Sequence, residues 1–343
     1  MAFYLRQIWL FNLGIHLTCK DRSQPYFQIW TEADGGRGCG EVASSIVAFI
    51  DAADLSTGHL IAWSDSCSGQ NKNFHLLCLW LLLIKNGRFT TTDHKFPESG
   101  YSYMDSDRDF GLIEKRVREV GNIYSIDQYQ DIMGQSQVKS KPHITRMPGN
   151  LYDVKELPAV LGLVHRNTTT SGEQVQFRDR VQWIHVTSFG SYSFRETFDE
   201  GKNWKTVNLL SLPENHGTTE RVKIADCCER IVGQVKKAKL DDIEKQLAYI
   251  PEIYKPFYNN LIAEASATGS GNEDTGVGET IQEPLNTRSG KYVSSGLIFN
   301  LYVYIHIHTP NYLACCFYIK TSNTCYQACL MITVEPISAN TIE

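Results

Sequence analysis

The sequence has no excess of positive charge. Its 33 Lys and Arg residues against 38 Asp and Glu leave a formal net charge of −5 and a pI near 6.1. No general electrostatic pull toward nucleic acid follows, and any such binding needs a local basic stripe. No secretory signal is expected of the opening residues, since Arg6 and Gln7 interrupt their apolar run and no small-residue cleavage site follows. The ten cysteines lack regular pair spacing, which fits free buried thiols in a reducing compartment and not a disulfide scaffold. A nuclear or cytoplasmic location is therefore expected. The one candidate membrane span, residues 292–319, is broken by Asn300, His306, His308, Pro310 and Asn311, so no membrane partner is expected. The glycine cluster at residues 35–40 lacks the Gly-Lys-Ser/Thr ending of a phosphate loop. Flexible entry into a helix, with Glu41 at its positive end, accounts for it.

What is present is an ordinary globular composition. With 343 residues, 42% hydrophobic and 21% charged, the chain can bury a full core and is expected to form one large domain with an appendage. Residues 3–19 and 26–32 read as an antiparallel hairpin, rich in aromatic and β-branched side chains. Val42, Ile46, Phe49 and Ile50 recur at helical spacing in residues 41–53. Residues 59–65 read as a strand ending on Asp65, residues 74–85 as a strongly apolar helix, residues 88–96 as a strand, and residues 106–120 as a helix carrying Asp107, Asp109 and Glu114.

A carboxylate at a strand tip and acids on a later helix are the parts of a metal site. At about 100° per residue Asp107 and Glu114 share a helix face, whereas Asp109 points about 200° from Asp107. Asp107 and Glu114 could thus face a common metal, with Asp65 at its strand tip a further candidate ligand. A plainer use stands beside this one: Asp65 caps a turn and Asp107 caps a helix. His94, beside Lys95 on a strand, reads as a partly exposed structural residue with a ligand role still open. Cys67, with His75 and His94 nearby in sequence, also permits a cysteine nucleophile, while the apolar helix is expected to bury Cys78.

The order strand, strand, helix, strand, helix, strand, helix is close to that of a ribonuclease-H-like fold after its first strand. Trp-Ser-Asp-Ser-Cys-Ser-Gly-Gln-Asn-Lys-Asn (63–73), His-Lys-Phe (94–96), Asp-Ser-Asp-Arg-Asp-Phe-Gly-Leu-Ile-Glu-Lys (105–115) and Ile-Pro-Glu-Ile-Tyr-Lys-Pro-Phe-Tyr-Asn-Asn-Leu (250–261) carry a resemblance to a family of uncharacterised animal proteins. Its members resemble transposon-derived, ribonuclease-H-like transposases. The resemblance implies an α/β fold, a mixed sheet flanked by helices and lacking its first strand, followed by a small β-rich segment and C-terminal helices. It places the family's strand-tip acid on Asp65 and its helical acids on Asp107 and Glu114, and so implies these as the catalytic and metal-binding residues, for Mg²⁺ or Mn²⁺ in phosphodiester chemistry. The first-strand Asp of the family has no counterpart here, Ser66 and Ser68 replace the family's Asn and Gly, and Tyr101 stands where the family has His. The expected function is a transposase-derived protein related to metal-dependent DNA strand-transfer enzymes, catalytically inactive. The alternative is a non-catalytic nucleic-acid- or protein-binding module that retains the fold. DNA and a second copy of the chain are the partners considered.

The expected division is residues 1–141 for the ribonuclease-H-like core, 142–262 for a β meander plus C-terminal helices, 263–291 for a disordered linker and 292–343 for a tail. In the meander, residues 175–177, 181–188, 192–198 and 204–210 read as strands with Trp183 and Trp204 filling the core. Arg178, Arg180, Arg195, Lys202 and Lys205 lie among its aromatics, a combination suited either to nucleic acid or to protected strand edges. Lys236, Lys237, Lys239 and Lys245 alternate with Asp241, Asp242 and Glu244, the pattern of a solvated, ion-paired helix. Tyr249, Tyr254, Phe257 and Tyr258 are expected to dock the following segment on the core. Residues 263–290 are rich in Gly, Ser, Thr and Glu. The tail changes composition abruptly, its His306, His308 and four cysteines match no familiar zinc spacing, and an origin in translated flanking sequence is expected.

Overall fold

The computed structural model describes residues 5–19, 22–55, 58–97, 104–137, 139–210, 221–267, 298–306 and 330–335. Expectations for residues 1–4, for Tyr101 and for residues 268–291 lie outside the described residues, as does most of the tail. The fold is mixed α/β. Strands β1 (Leu10–Cys19) and β2 (Arg22–Thr31) form an antiparallel hairpin, with Leu10 opposite Thr31 and Cys19 opposite Arg22. The chain then alternates helix and strand through α1 (Cys39–Ala52), β3 (His59–Ser64), α2 (Phe74–Lys85), β4 (Thr91–Lys95) and α3 (Asp105–Val120). The connection through α2 brings β4 back parallel to β3, as a crossover helix allows.

Next come α4 (Ile126–Gly134), β5 (His143–Arg146), β6 (Tyr152–Asp153), α5 (Leu157–Val160), α6 (Phe177–Arg180), β7 (Trp183–Val186), β8 (Ser191–Arg195), β9 (Lys205–Asn208), α7 (Ile224–Cys227), β10 (Glu229–Arg230), α8 (Lys237–Gln246), α9 (Lys255–Ala267), β11 (Ile298–His306) and β12 (Leu330–Glu335). Ten of these strands make one sheet in the order β5-β2-β1-β11-β12-β3-β4-β7-β8-β9. The sheet is continuous across residue 141, since β5 adds to β2 and the β7–β9 meander adds to β4. Two segments of the tail lie at its centre: β11 and β12 run parallel to successive halves of β1, and β12 runs antiparallel to β3.

Alternation along the strands sorts side chains between two faces. Phe11, Leu13, Ile15 and Leu17 of β1, Leu60 and Ala62 of β3, Ile184 and Val186 of β7, and Tyr192 and Phe194 of β8 share one core with α1 and α2. Helix α2 is buried from Leu76 through Leu83 because it lies between the sheet and other helices, and Asn73 starts it by accepting the Leu76 N–H at 2.9 Å. On the other face, α3 and α4 bury Phe27, Ile29, Phe110, Ile113, Tyr129 and Ile132. Gly14 makes that approach possible: a Cβ there would sit 2.3 Å from the Phe110 ring, which packs edge-on against Phe27 at 5.2 Å.

Several expectations are corrected. Residues 175–177 are not a strand, and Phe177 instead opens the short helix α6. Trp183 and Trp204 are half-exposed, because the inward positions of the meander belong to Ile184, Val186, Phe194 and Val207. Lys239 is buried: its Nζ donates to both Glu32 oxygens at 2.7 and 2.8 Å and lies over the Trp9 ring. Tyr258 and Tyr254 do dock, on the Tyr124 carbonyl and ring respectively, but Tyr249 is 69% exposed. Residues 263–267, read as linker, complete α9. No described helix is long and apolar enough to cross a membrane.

Candidate functional site

Asp65 follows the last residue of β3. Its Oδ1 accepts the Cys67 N–H at 3.1 Å and the Asn71 side-chain amide at 2.8 Å, so the carboxylate closes the turn that leads into α2. Burial pushes its pKa up to about 6, and these two hydrogen bonds only partly offset the shift. Asp107 accepts the Met104 N–H at 2.7 Å and thereby caps α3. Glu114 lies further along α3 and pairs with Arg118 at 3.3 Å across one helical turn. Asp109, on the opposite face of the helix, is the acid that enters the interior, where its Oδ2 lies 2.5 Å from His16 Nδ1.

A two-metal reaction needs carboxylates that converge. Among the described residues no group of three or more His, Cys, Asp or Glu is placed to hold a metal ion, and no other carboxylate perturbs Asp65. The described residues therefore do not gather the converging carboxylates that Mg²⁺ or Mn²⁺ would need there. His94 is buried, contrary to the partly exposed position expected. Trp80 Nε1–H donates to its Nδ1 at 3.1 Å, so Nε2 carries the proton toward Ser64 Oγ at 2.9 Å. Burial and the nearby Lys72 charge lower its pKa to about 3, and both ring nitrogens are already used. Desolvation and the Asp65 charge raise the Cys67 thiol pKa, the reverse of what a cysteine nucleophile requires. Cys78 is fully buried, as expected.

A different constellation occupies the outer half of the sheet, on the face that α3 and α4 cover at the other end. The register aligns Ile61 with Asp93 and Asp93 with His185, and Trp63 with Lys95, Lys95 with Trp183, and Trp183 with Arg195. These residues form two rows across β3, β4, β7 and β8. In the first, the buried Asp93 carboxylate lies 2.6 Å from His59 Nε2 and 2.7 Å from His185 Nδ1, and accepts Trp183 Nε1–H at 2.9 Å. Burial opposes its ionisation, but the bonds and charges of the two histidines outweigh that and hold its pKa well below the usual carboxylate range. In the second row Lys95 Nζ lies 3.9 Å from the Trp183 ring centre and 5.1 Å from that of Trp63, and the Arg195 guanidinium lies 4.2 Å from that of Trp204. Phe198 packs on Trp63 at 5.5 Å. Sequence reasoning pointed to Arg195, Trp183 and Trp204 but missed Trp63, His59, Asp93, His185 and Lys95. The alternation Trp183-Ile184-His185-Val186 is the signal that marks the first and third side chains as one outward face.

The arrangement offers flat aromatic surfaces with cations fixed between them, held by a buried carboxylate. No family model matches the chain, and no curated protein or solved structure matches it either.

Proposed function

We propose that this chain is a transposase-derived module on a ribonuclease-H-like sheet that binds single-stranded nucleic acid and does not transfer strands. The observation that carries the reading is the row Trp63, Lys95, Trp183, Arg195 and Trp204 on an outer sheet face. Bases of any sequence stack on aromatic rings, and interleaved cations meet the phosphates, so these residue types together suit a single strand. The row supplies the local basic stripe that the overall net charge of −5 does not.

The ancestry is supported by the order of elements from β1 to α3, with β3 and β4 parallel across α2, and by the resemblance of residues 63–73 and 105–115. Binding without catalysis is supported by the separate engagements of Asp65 in a turn, Asp107 in a helix cap and Glu114 with Arg118.

Titrating the full chain with an oligothymidylate while following tryptophan emission tests the reading. Quenching is expected, with log affinity falling against log salt at a slope of about −1.4 for two phosphate contacts. An unchanged emission with no retention of the oligonucleotide defeats it. Mn²⁺-dependent nicking of DNA abolished by Asp65→Asn would instead establish the strand-transfer remnant.

A further inference from the structure

The geometry points to a second chemical centre, independent of the aromatic face: Ser23 is an acyl-accepting nucleophile, His16 is its general base, and Asp109 positions the imidazole. Three elements bring these residues together. In the hairpin Thr18 is opposite Ser23 and His16 opposite Pro25, so the His16 and Ser23 side chains stand diagonally on the face beneath α3. From α3, Asp109 reaches down beside them. Ser23 Oγ lies 2.9 Å from His16 Nε2, and His16 Nδ1 lies 2.5 Å from Asp109 Oδ2. His16 and Asp109 are 2% and 1% exposed, while Ser23 is exposed.

That gradient of burial is the one acyl transfer needs. An ionised acid accepts the Nδ1 proton and leaves the Nε2 lone pair to the serine hydroxyl, the tautomer a general base requires. Gln137 donates to Asp109 Oδ1 at 3.0 Å and fixes the carboxylate from its far side. Ser23, at the end of the relay, is the exposed residue of the three, so a substrate meets it first.

The substrate class is an activated ester of a small carboxylic acid, whose stabilised leaving group places the least demand on added oxyanion donors. Ser23 Oγ attacks the acyl carbon and its proton passes to His16 Nε2. The bond to the leaving oxygen breaks, and that oxygen takes the proton from His16. Water, deprotonated by His16, then splits the acyl-serine to the acid and returns the proton to Ser23. The sum is ester plus water giving acid plus alcohol.

The test treats the full chain with an alkyl fluorophosphonate, which forms an Oγ–P bond and expels fluoride, and separately with p-nitrophenyl acetate. The expected result is one label on Ser23, absent in Ser23→Ala, and p-nitrophenol release that this variant loses. Ser23→Ala also removes the partner of His16 Nε2, so an unchanged urea midpoint is measured beside the label to show that the variant keeps its fold. Asp109→Asn slows labelling on the order of 10³–10⁴-fold. Because Asp109 is buried, the half-buried Gln137→Leu gives a second reading, a several-fold slower reaction at Ser23 that a merely structural Asp109 would not produce. Equal labelling and equal turnover of wild type and Ser23→Ala overturn the proposal. A Gln137→Leu rate equal to wild type overturns the positioning role.

Discussion

One face of the central sheet is finished in two different ways. Over β1, β2 and β5 it is sealed by α3 and α4, and its side chains are Phe27, Ile29 and Ile144 meeting Phe110, Ile113, Tyr129 and Ile132. Over β4, β7 and β8 the outward positions are Asp93, Lys95, Trp183, His185, Ser193 and Arg195, of which all but Asp93 are half-exposed. Apolar area removed from water stabilises the first half. In the second, one buried carboxylate and a set of ring–cation contacts order side chains that stay accessible. The same strand pleat thus serves stability at one end and recognition at the other, with Trp63 of β3 touching both the sealed cluster and Phe198.

The comparison breaks most visibly at Phe110. Its ring is 1% exposed and fills the space that Gly14 leaves open. Phe110→Ala is expected to cost about 3–5 kcal/mol, read as a fall in the urea midpoint at unchanged slope. A loss below about 1 kcal/mol would mean that α3 does not seal this half.

On the open half the largest effect belongs to Asp93. Its folded pKa lies below the unfolded value, so its contribution is fully present above about pH 4 and is lost as pH falls further. Asp93→Asn is expected to cost about 1.5–3 kcal/mol at pH 7, the scale of hydrogen bonds to a charged group. The difference between the denaturation curves of the two proteins should begin to shrink below about pH 4 and close only as the pH falls through the depressed folded pKa. A constant difference between pH 7 and pH 3 would show that the two histidines do not hold the carboxylate ionised.

Trp204→Ala separates the roles of the two halves. The ring is half-exposed, meets Trp183 edge-on and lies against His185 and the Arg195 guanidinium, so its removal should barely move the urea midpoint. Oligothymidylate affinity is expected to fall by about 1–3 kcal/mol. Stability lost without any change in affinity would return this tryptophan to the structural role that the sequence suggested.

How much of this is legible in the sequence depends on whether the signal is local. Helix α2 has its read boundaries, 74 and 85, because Asn73 caps it and an unbroken apolar run fills it. Asp65 and Asp107 could be read as caps from their positions alone, and their hydrogen bonds are those of caps. Ring size favours the interior for Trp183 and Trp204, yet alternation gives the interior to Ile184 and Val186 and leaves the two rings half-exposed. The meetings of His16 with Asp109, and of Asp93 with His59 and His185, span 93, 34 and 92 residues. They follow from strand register and helix placement, which no local pattern specifies. The entry of β11 and β12 between β1 and β3 is likewise a matter of pairing, in segments whose composition suggested a separate tail.

The smallest effect sharpens the contrast at the strand that divides the halves. Asp65 is held protonated more strongly when folded, with a pKa of about 6. Its contribution is therefore present below the ordinary carboxylate value of about 4 and is lost as pH rises through about 6. At pH 8 the ionised group is a cost that Asp65→Asn removes, while Oδ1 can still accept from Cys67 and Asn71. The variant is expected to melt slightly above wild type at pH 8, with the gain disappearing as the pH is lowered through 6 toward 4. Mn²⁺ should leave both melting temperatures unchanged. A rise with Mn²⁺ in the wild type alone would mean that the strand tip gathers further donors around a cation, and the open half of the sheet would then adjoin a reaction centre.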